Sequence, residues 1–106
     1  MAKFMIKASY TSEGMKGLMK EGGSSRKKVV EKMLAPLGGS VECFYYAFGE
    51  TDVYSVVELP DAVSAAAVSF AINASGAVQT SMVPLLSPKE VDAACKKSVG
   101  YRAPGK

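Results

Sequence analysis

Residues 40–48 carry apolar side chains on both faces of a predicted strand, and few folds accommodate such a strand. Simple alternation divides the segment into one face with Val41, Cys43, Tyr45 and Ala47 and another with Glu42, Phe44, Tyr46 and Phe48. A strand with two apolar faces needs cover on both sides. The remainder of the chain must therefore form a sheet around it and supply that cover.

The other segments show the periodicities of strands and helices. Alternation predicts strands at residues 3–10, 52–59 and 78–84, in addition to 40–48. In the first strand one face is apolar, with Phe4, Ile6, Ala8 and Tyr10. Spacings of three and four predict a short helix around 15–19, a clearer one at 26–37 and another at 62–75. Ser87, Pro88 and Glu90 form a capping-box pattern that starts a last short helix.

The apolar stripes of two of these helices can be predicted from their spacing. In the helix 62–75 the stripe comprises Val63, Ala66, Ala67, Phe70 and Ala74, which we expect to face the sheet. In the last helix we expect Val91, Ala94 and Cys95 to face inward. Residues 99–106 are predicted to be an irregular tail.

The order β-α-β-β-α-β predicts an α+β, ferredoxin-like fold in a single domain spanning residues 1–106. It is a four-stranded antiparallel sheet with helices on one face, followed by a C-terminal helix. Because the helices cover one face only, the aromatic side chains of the second strand leave a large apolar patch on the other. A second copy that packs sheet against sheet would cover it, so we predict a homodimer or a multiple of dimers.

Composition excludes several classes of function. The chain has no histidine, which excludes Ser-His-Asp and Cys-His catalysis and histidine-held metals. Cys43 and Cys95 lie far apart, without a CxxC motif, so we expect no metal site, no cofactor and a reducing, cytoplasmic environment. No apolar run approaches the length of a membrane span. The net charge of +3 is too small to indicate nucleic acid, and Arg26, Lys27 and Lys28 are interpreted as a solvated helix face.

The candidate site residues are tyrosines and one aspartate. Four tyrosines can line a pocket for a small hydrophobic or aromatic ligand: Tyr10, Tyr45, Tyr46 and Tyr54. The alternative is that they pack in a dimer interface, where tyrosine is also common. Asp52 is a candidate catalytic base, or else an acceptor for backbone N–H groups in the hairpin.

Several short motifs, spread over nearly the whole chain, resemble the GYD-domain family. They are Ser9-Tyr10-Thr11 with Gly14, Lys16-Gly17-Leu18, Phe44 to Gly49, Asp52-Val53, Val57 to Asp61, Ser64 to Ala67, Asn73 to Val78, and Pro84-Leu85-Leu86. Near the hairpin Gly49 and Asp52 match the glycine and aspartate in the family's name, whereas Thr51 stands where its tyrosine is expected. The resemblance implies a ferredoxin-like protomer of the dimeric α/β-barrel type, and it implies no established activity.

Two functions are compatible with these residues. The first is a homo-oligomeric assembly or small-molecule-binding module. The second, by analogy of fold alone, is a cofactor-independent enzyme of the monooxygenase or isomerase kind, with Tyr10, Asp52 and Tyr54 as its candidate residues.

Overall fold

A computed structural model describes residues 1–106 as a four-stranded antiparallel sheet with helices packed on one of its faces. The strands lie in the order β2-β3-β1-β4, which agrees with the predicted ferredoxin-like topology. The elements are β1 (Ala2–Tyr10), α1 (Ser12–Glu21), α2 (Gly23–Leu34), β2 (Ser40–Tyr46), β3 (Val53–Leu59), α3 (Ala62–Ala74), β4 (Val78–Leu85) and α4 (Pro88–Cys95). A 3-10 turn, Ala35–Leu37, follows α2.

The core lies between the sheet and the helices α2 and α3. Nine buried apolar side chains form it: Phe4, Ile6 and Ala8 from β1, Val53, Val57 and Leu59 from β3, Leu34 from α2, and Ala65 and Val68 from α3. Burial of such side chains contributes most of the folding free energy. Ser55 is the buried polar residue of this core, and its hydroxyl donates to the carbonyl of Cys43 at 2.7 Å, which offsets its desolvation.

The first of the two N-terminal helices is longer than predicted, and the second begins and ends earlier than predicted. The structure contains α1 and α2 where a short helix around 15–19 and a helix at 26–37 were expected. Thr11 caps α1 by accepting a hydrogen bond from the amide of Gly14, and Gly22, with φ of 86°, separates the two helices. Because Pro36 opposes a further α-helical turn, α2 ends at Leu34 and continues only as the 3-10 turn.

A β-bulge in β2 corrects the predicted division of its faces. The register of β2 against β3 shifts between Val41 and Cys43. As a result Val41 pairs with Val57, and Phe44 with Ser55, on the face that the helices cover. Tyr45 pairs with Tyr54 on the opposite face. Strict alternation placed Val41 and Tyr45 together, and this was wrong because a bulge inserts one residue that alternation does not anticipate.

The inward faces predicted for α3 and α4 are also wrong. In α3 the structure buries Ala65 and Val68, whereas Val63 and Phe70 are 79% and 72% exposed. This helix has no charged residue, and apolar side chains lie on its outward as well as its inward face, so spacing alone did not identify the inward face. In α4 the expected inward residues Val91, Ala94 and Cys95 are all exposed. None of the helices is both long and apolar enough to span a membrane.

Two glycines of α1 provide a matched test of this packing. A Cβ at Gly14 would collide with the backbone carbonyl of Ala77, which also accepts a hydrogen bond from the amide of Thr11. A Cβ at Gly17 meets nothing within 4 Å. We expect Gly14→Ala to lower the free energy of unfolding by about 2 kcal/mol through overpacking. Gly17→Ala should raise it by about 0.5 kcal/mol through helix propensity.

Urea unfolding followed by circular dichroism measures both changes. If the two substitutions changed the free energy of unfolding equally, the result would contradict the close approach of α1 to Ala77.

Candidate functional site

A mainly apolar cavity of about 90 Å³ lies between the sheet and the helices α2 and α3. Its floor comes from the helix-covered face of the sheet and its roof from α2 and Ile72 of α3. Thirteen residues line it: Ile6, Ala8, Tyr10, Arg26, Val29, Val30, Met33, Phe44, Val53, Ser55, Ile72, Val78 and Thr80. A concave, mainly apolar space with few polar groups is typical of a site for a small molecule.

Arg26 is the one charged residue among those that line the cavity. It lies in the first part of α2, at 3.8 Å from Glu21 (Nη1 to Oε2). Three lining residues carry hydroxyls: Ser55 donates to the carbonyl of Cys43, Thr80 donates to the carbonyl of Lys7 at 3.3 Å, and the third is the phenol of Tyr10. As the one charged group of the lining, the guanidinium of Arg26 is best suited to meet an anionic end of a ligand.

The four predicted tyrosines do not form one pocket. Tyr10 lines the cavity, and Tyr46 lies on the same face of the sheet, with its hydroxyl donating to the carbonyl of Gly23 at the start of α2 at 2.9 Å. Tyr45 and Tyr54 lie opposite each other on the other face of the sheet, where they are 69% and 40% exposed. Only Tyr10 of this set contributes to the cavity.

The Tyr46 phenol is held in its neutral form. Burial, followed by the proximity of Tyr10, raises the pKa of Tyr46 to about 12, and the guanidinium of Arg26 acts weakly in the opposite direction. A neutral phenol at this position donates a hydrogen bond and fixes the end of β2 against the start of α2. A role as a general base at neutral pH would require the opposite shift.

Asp52 fastens the β2–β3 hairpin to the end of β1. Its carboxylate oxygen Oδ2 accepts from the amide of Tyr10 at 2.8 Å, and its own amide donates to the carbonyl of Ala8 at 2.8 Å. Its carbonyl accepts from the amide of Ala47 at 2.7 Å. These contacts hold Tyr10 at the cavity. The carboxylate accepts from a backbone N–H group, as in the predicted alternative, but that group belongs to β1 and not to the hairpin.

Sequence reasoning missed Arg26 and its neighbours on α2 as cavity residues. The sequence indicated a solvated basic face, and Lys27 and Lys28 are indeed exposed. Arg26, however, shares one helix face with Val30 and Met33, at spacings of four and seven. That spacing was the available signal.

The face of the sheet opposite the helices, here called the outer face, has an apolar row that crosses all four strands. Cross-strand pairing aligns Cys43, Val56, Met5 and Val83 in this row. The Tyr45–Tyr54 pair lies beside it. Lys3 and Glu58, joined by an ion pair at 3.3 Å, lie at the other side of it. No helix packs over this row, so a substantial apolar surface is left without cover.

The side chains that commonly hold metals are dispersed. No group of three or more cysteine, aspartate or glutamate side chains lies close enough together to bind an ion. Cys43 is half-buried and Cys95 exposed, and each is a free thiol.

The raised pKa of Tyr46 predicts how stability depends on alkaline pH. The folded protein holds this proton more tightly than the unfolded chain, in which tyrosine titrates near 10. The resulting stabilisation is present below pH 10 and is lost as the pH rises towards about 12. We expect Tyr46→Phe to be less stable than the wild type by about 0.5 kcal/mol at pH 8, through the lost hydrogen bond. This difference should shrink and then reverse between pH 10 and 12, because only the wild type loses stability as Tyr46 ionises.

Urea unfolding across that pH range checks this expectation. The control is Tyr101→Phe, which removes an exposed phenol outside the sheet and should follow the wild-type profile. A constant difference between wild type and Tyr46→Phe up to pH 12 would contradict the assignment.

Comparison with known proteins identifies the family to which the chain belongs. The model of the GYD domain matches residues 4–95 of the 106-residue chain. Searches of curated proteins and of solved structures give no significant match. The matched span includes β1 to α4, with both the cavity and the outer face of the sheet. The chain therefore belongs to the GYD-domain family.

Proposed function

We propose that the protein binds a small molecule in the cavity between its sheet and helices and that it works as a homo-oligomer. The observation that carries the first part is the cavity itself, with an apolar lining and Arg26 as its one charged group. Well-packed interiors contain few voids larger than a water molecule, so a partly open apolar space of this size between the sheet and its helices is a candidate binding site.

The size of the cavity limits the ligand. At about 90 Å³ it is smaller than the engineered cavity of roughly 150 Å³ that holds benzene. The part of the ligand that enters it is therefore short, on the order of three or four carbon atoms. With Arg26 at its wall, the site fits a small amphipathic molecule whose apolar body ends in a carboxylate or a similar anion.

The outer face of the sheet supports the homo-oligomer. A second copy placed sheet against sheet would cover the row of Cys43, Val56, Met5 and Val83 as well as the tyrosine pair beside it. Two sheets packed in this way form the dimeric α/β barrel that the resemblance implied, and a two-fold arrangement places the same patch on both sides. The proposal includes a cytoplasmic location, with no nucleic acid or membrane as partner.

A cofactor-independent enzyme is the alternative. Tyr10 at the cavity wall is the predicted residue that such an enzyme would use most directly, whereas Asp52 is engaged by the backbone of β1 and Tyr54 lies on the outer face. Turnover of a bound ligand, lost in Tyr10→Phe without loss of binding, would favour this alternative over a binding module.

Titration with two small probes tests the binding site. We expect butyrate and 1-butanol, which have four carbon atoms each and differ in their polar end, to shift the methyl resonances of Val30, Met33 and Ile72. Because Arg26 interacts with a carboxylate more strongly than with a hydroxyl, Arg26→Met should weaken butyrate binding about tenfold and leave 1-butanol binding unchanged.

The matched control is Lys27→Met, which removes an exposed positive charge next to Arg26 in sequence and should bind both probes like the wild type. If neither probe shifts these methyl groups in the wild-type protein, the cavity does not bind small molecules and the proposal fails.

A further inference from the structure

Residues 86–106, here called the C-terminal arm, extend away from the rest of the fold. No residue of α4 is buried or half-buried, and every residue from 88 to 102 is exposed. The radius of gyration is 16.8 Å, compared with about 13 Å for a compact domain of 100 residues. The longest dimension of the molecule is 56 Å. A large part of the chain therefore contributes nothing to its own core.

The sequence of this arm nonetheless contains strong local signals for a helix. Ser87 and Glu90 form a complete capping box, with the Ser87 hydroxyl accepting from the Glu90 amide at 3.1 Å and the Glu90 carboxylate from the Ser87 amide at 2.9 Å. Leu86 and Val91 occupy the positions of a hydrophobic staple. An isolated helix of eight residues is unstable in water, so α4 needs a surface to pack against.

The apolar stripe of α4 is available for such packing. Val91, Ala94 and Cys95 lie on one face at spacings of three and four and are all exposed. Lys89, Asp92 and Lys96 lie towards the other side. An amphipathic helix whose apolar stripe is exposed to solvent lacks the surface that would normally bury that stripe.

A complementary surface lies on α3. Its outward stripe consists of Val63, Ala67, Phe70 and Ala74, at spacings of four, three and four, and all four residues are exposed. No charged residue occurs in this helix, and its polar residues, Ser64, Ser69 and Asn73, lie outside the outward stripe. An apolar stripe that runs the length of a helix is normally buried against another surface.

We propose that the C-terminal arm of one copy packs the Val91–Ala94–Cys95 stripe of α4 against the outward stripe of α3 in a second copy, and that the exchange is reciprocal. We take the partner to be a second copy because the arm extends away from its own fold and leaves the outward stripe of its own α3 uncovered. Reciprocal exchange covers both arms and both α3 stripes by one two-fold operation. The charged side of α4 then remains in water.

This exchange uses a different surface from the outer face of the sheet, because α3 lies on the opposite side of the sheet. It rests on the self-association proposed above but not on ligand binding in the cavity. A chain with both contacts assembles into an even-numbered oligomer larger than a dimer.

Disulfide trapping tests the exchange. In a Cys43→Ser background, Ala67→Cys adds one thiol to the α3 stripe and leaves the native Cys95 in the arm. Oxidised glutathione should then link two chains, seen as a doubled mass on a non-reducing gel and reversed by reductant. Ala74→Cys, further along the same stripe, provides a second variant in case the first does not fold.

Two controls match this experiment. Cys43→Ser alone keeps only Cys95, and Cys43→Ser with Lys28→Cys places the added thiol at an exposed position on α2. Both should stay at the mass of one chain.

Three results would overturn the proposal. A disulfide within a single chain would show that the arm folds back on its own α3. Linked chains in the Cys95-only control would show that arms pair with each other. No link at either α3 position would show that α3 is not the docking surface.

Sedimentation of the unoxidised protein separates a failure of the exchange from a failure to self-associate, and the butyrate titration is independent of both.

Discussion

A single sheet covered by helices on only one face sets the constraints on the rest of this molecule. The helix-covered face receives Phe4, Ile6 and Ala8 from β1 and Val57 and Leu59 from β3, and burial of these side chains stabilises the protomer. The outer face carries the alternate side chains of each strand, which point away from the helices. There the apolar row that begins at Cys43 crosses all four strands, so the same alternation that builds the core also creates an uncovered surface.

The cavity and the hairpin depend on the same junction. Asp52 joins the β2–β3 hairpin to Tyr10 at the end of β1, and Tyr46 joins the end of β2 to Gly23 at the start of α2. These two contacts fix the hairpin end of the cavity wall with hydrogen bonds, and the cavity lining itself is almost entirely apolar. The polar residues singled out in the sequence therefore position the site more than they line it, and Arg26 supplies the charge inside it.

Much of the fold was predictable from local patterns, and the errors have specific physical causes. The alternation in β1 and the capping box at Ser87 identify their elements because each depends only on neighbours in sequence. The bulge near Glu42 depends on pairing with β3, which alternation does not record. The inward face of α3 is not encoded by its own spacing, since Phe70 and Val68 are both apolar and tertiary packing chooses between them. Arg26 was missed because a charged residue at the wall of a cavity looks, in sequence, like one on a solvated face.

The proposed assembly depends on a second copy that covers the outer face of the sheet, and a native mass spectrum of freshly purified protein tests for it. With the outer face covered in this way, we expect an even number of 11.1 kDa subunits for the wild type and a smaller assembly for Tyr54→Glu, which places a charge within the tyrosine pair. Extra mass retained on the assembly would identify the ligand of the cavity. A wild-type protein detected only as a monomer would contradict the sheet-to-sheet dimer, because its apolar outer face would then be stable in water without a partner.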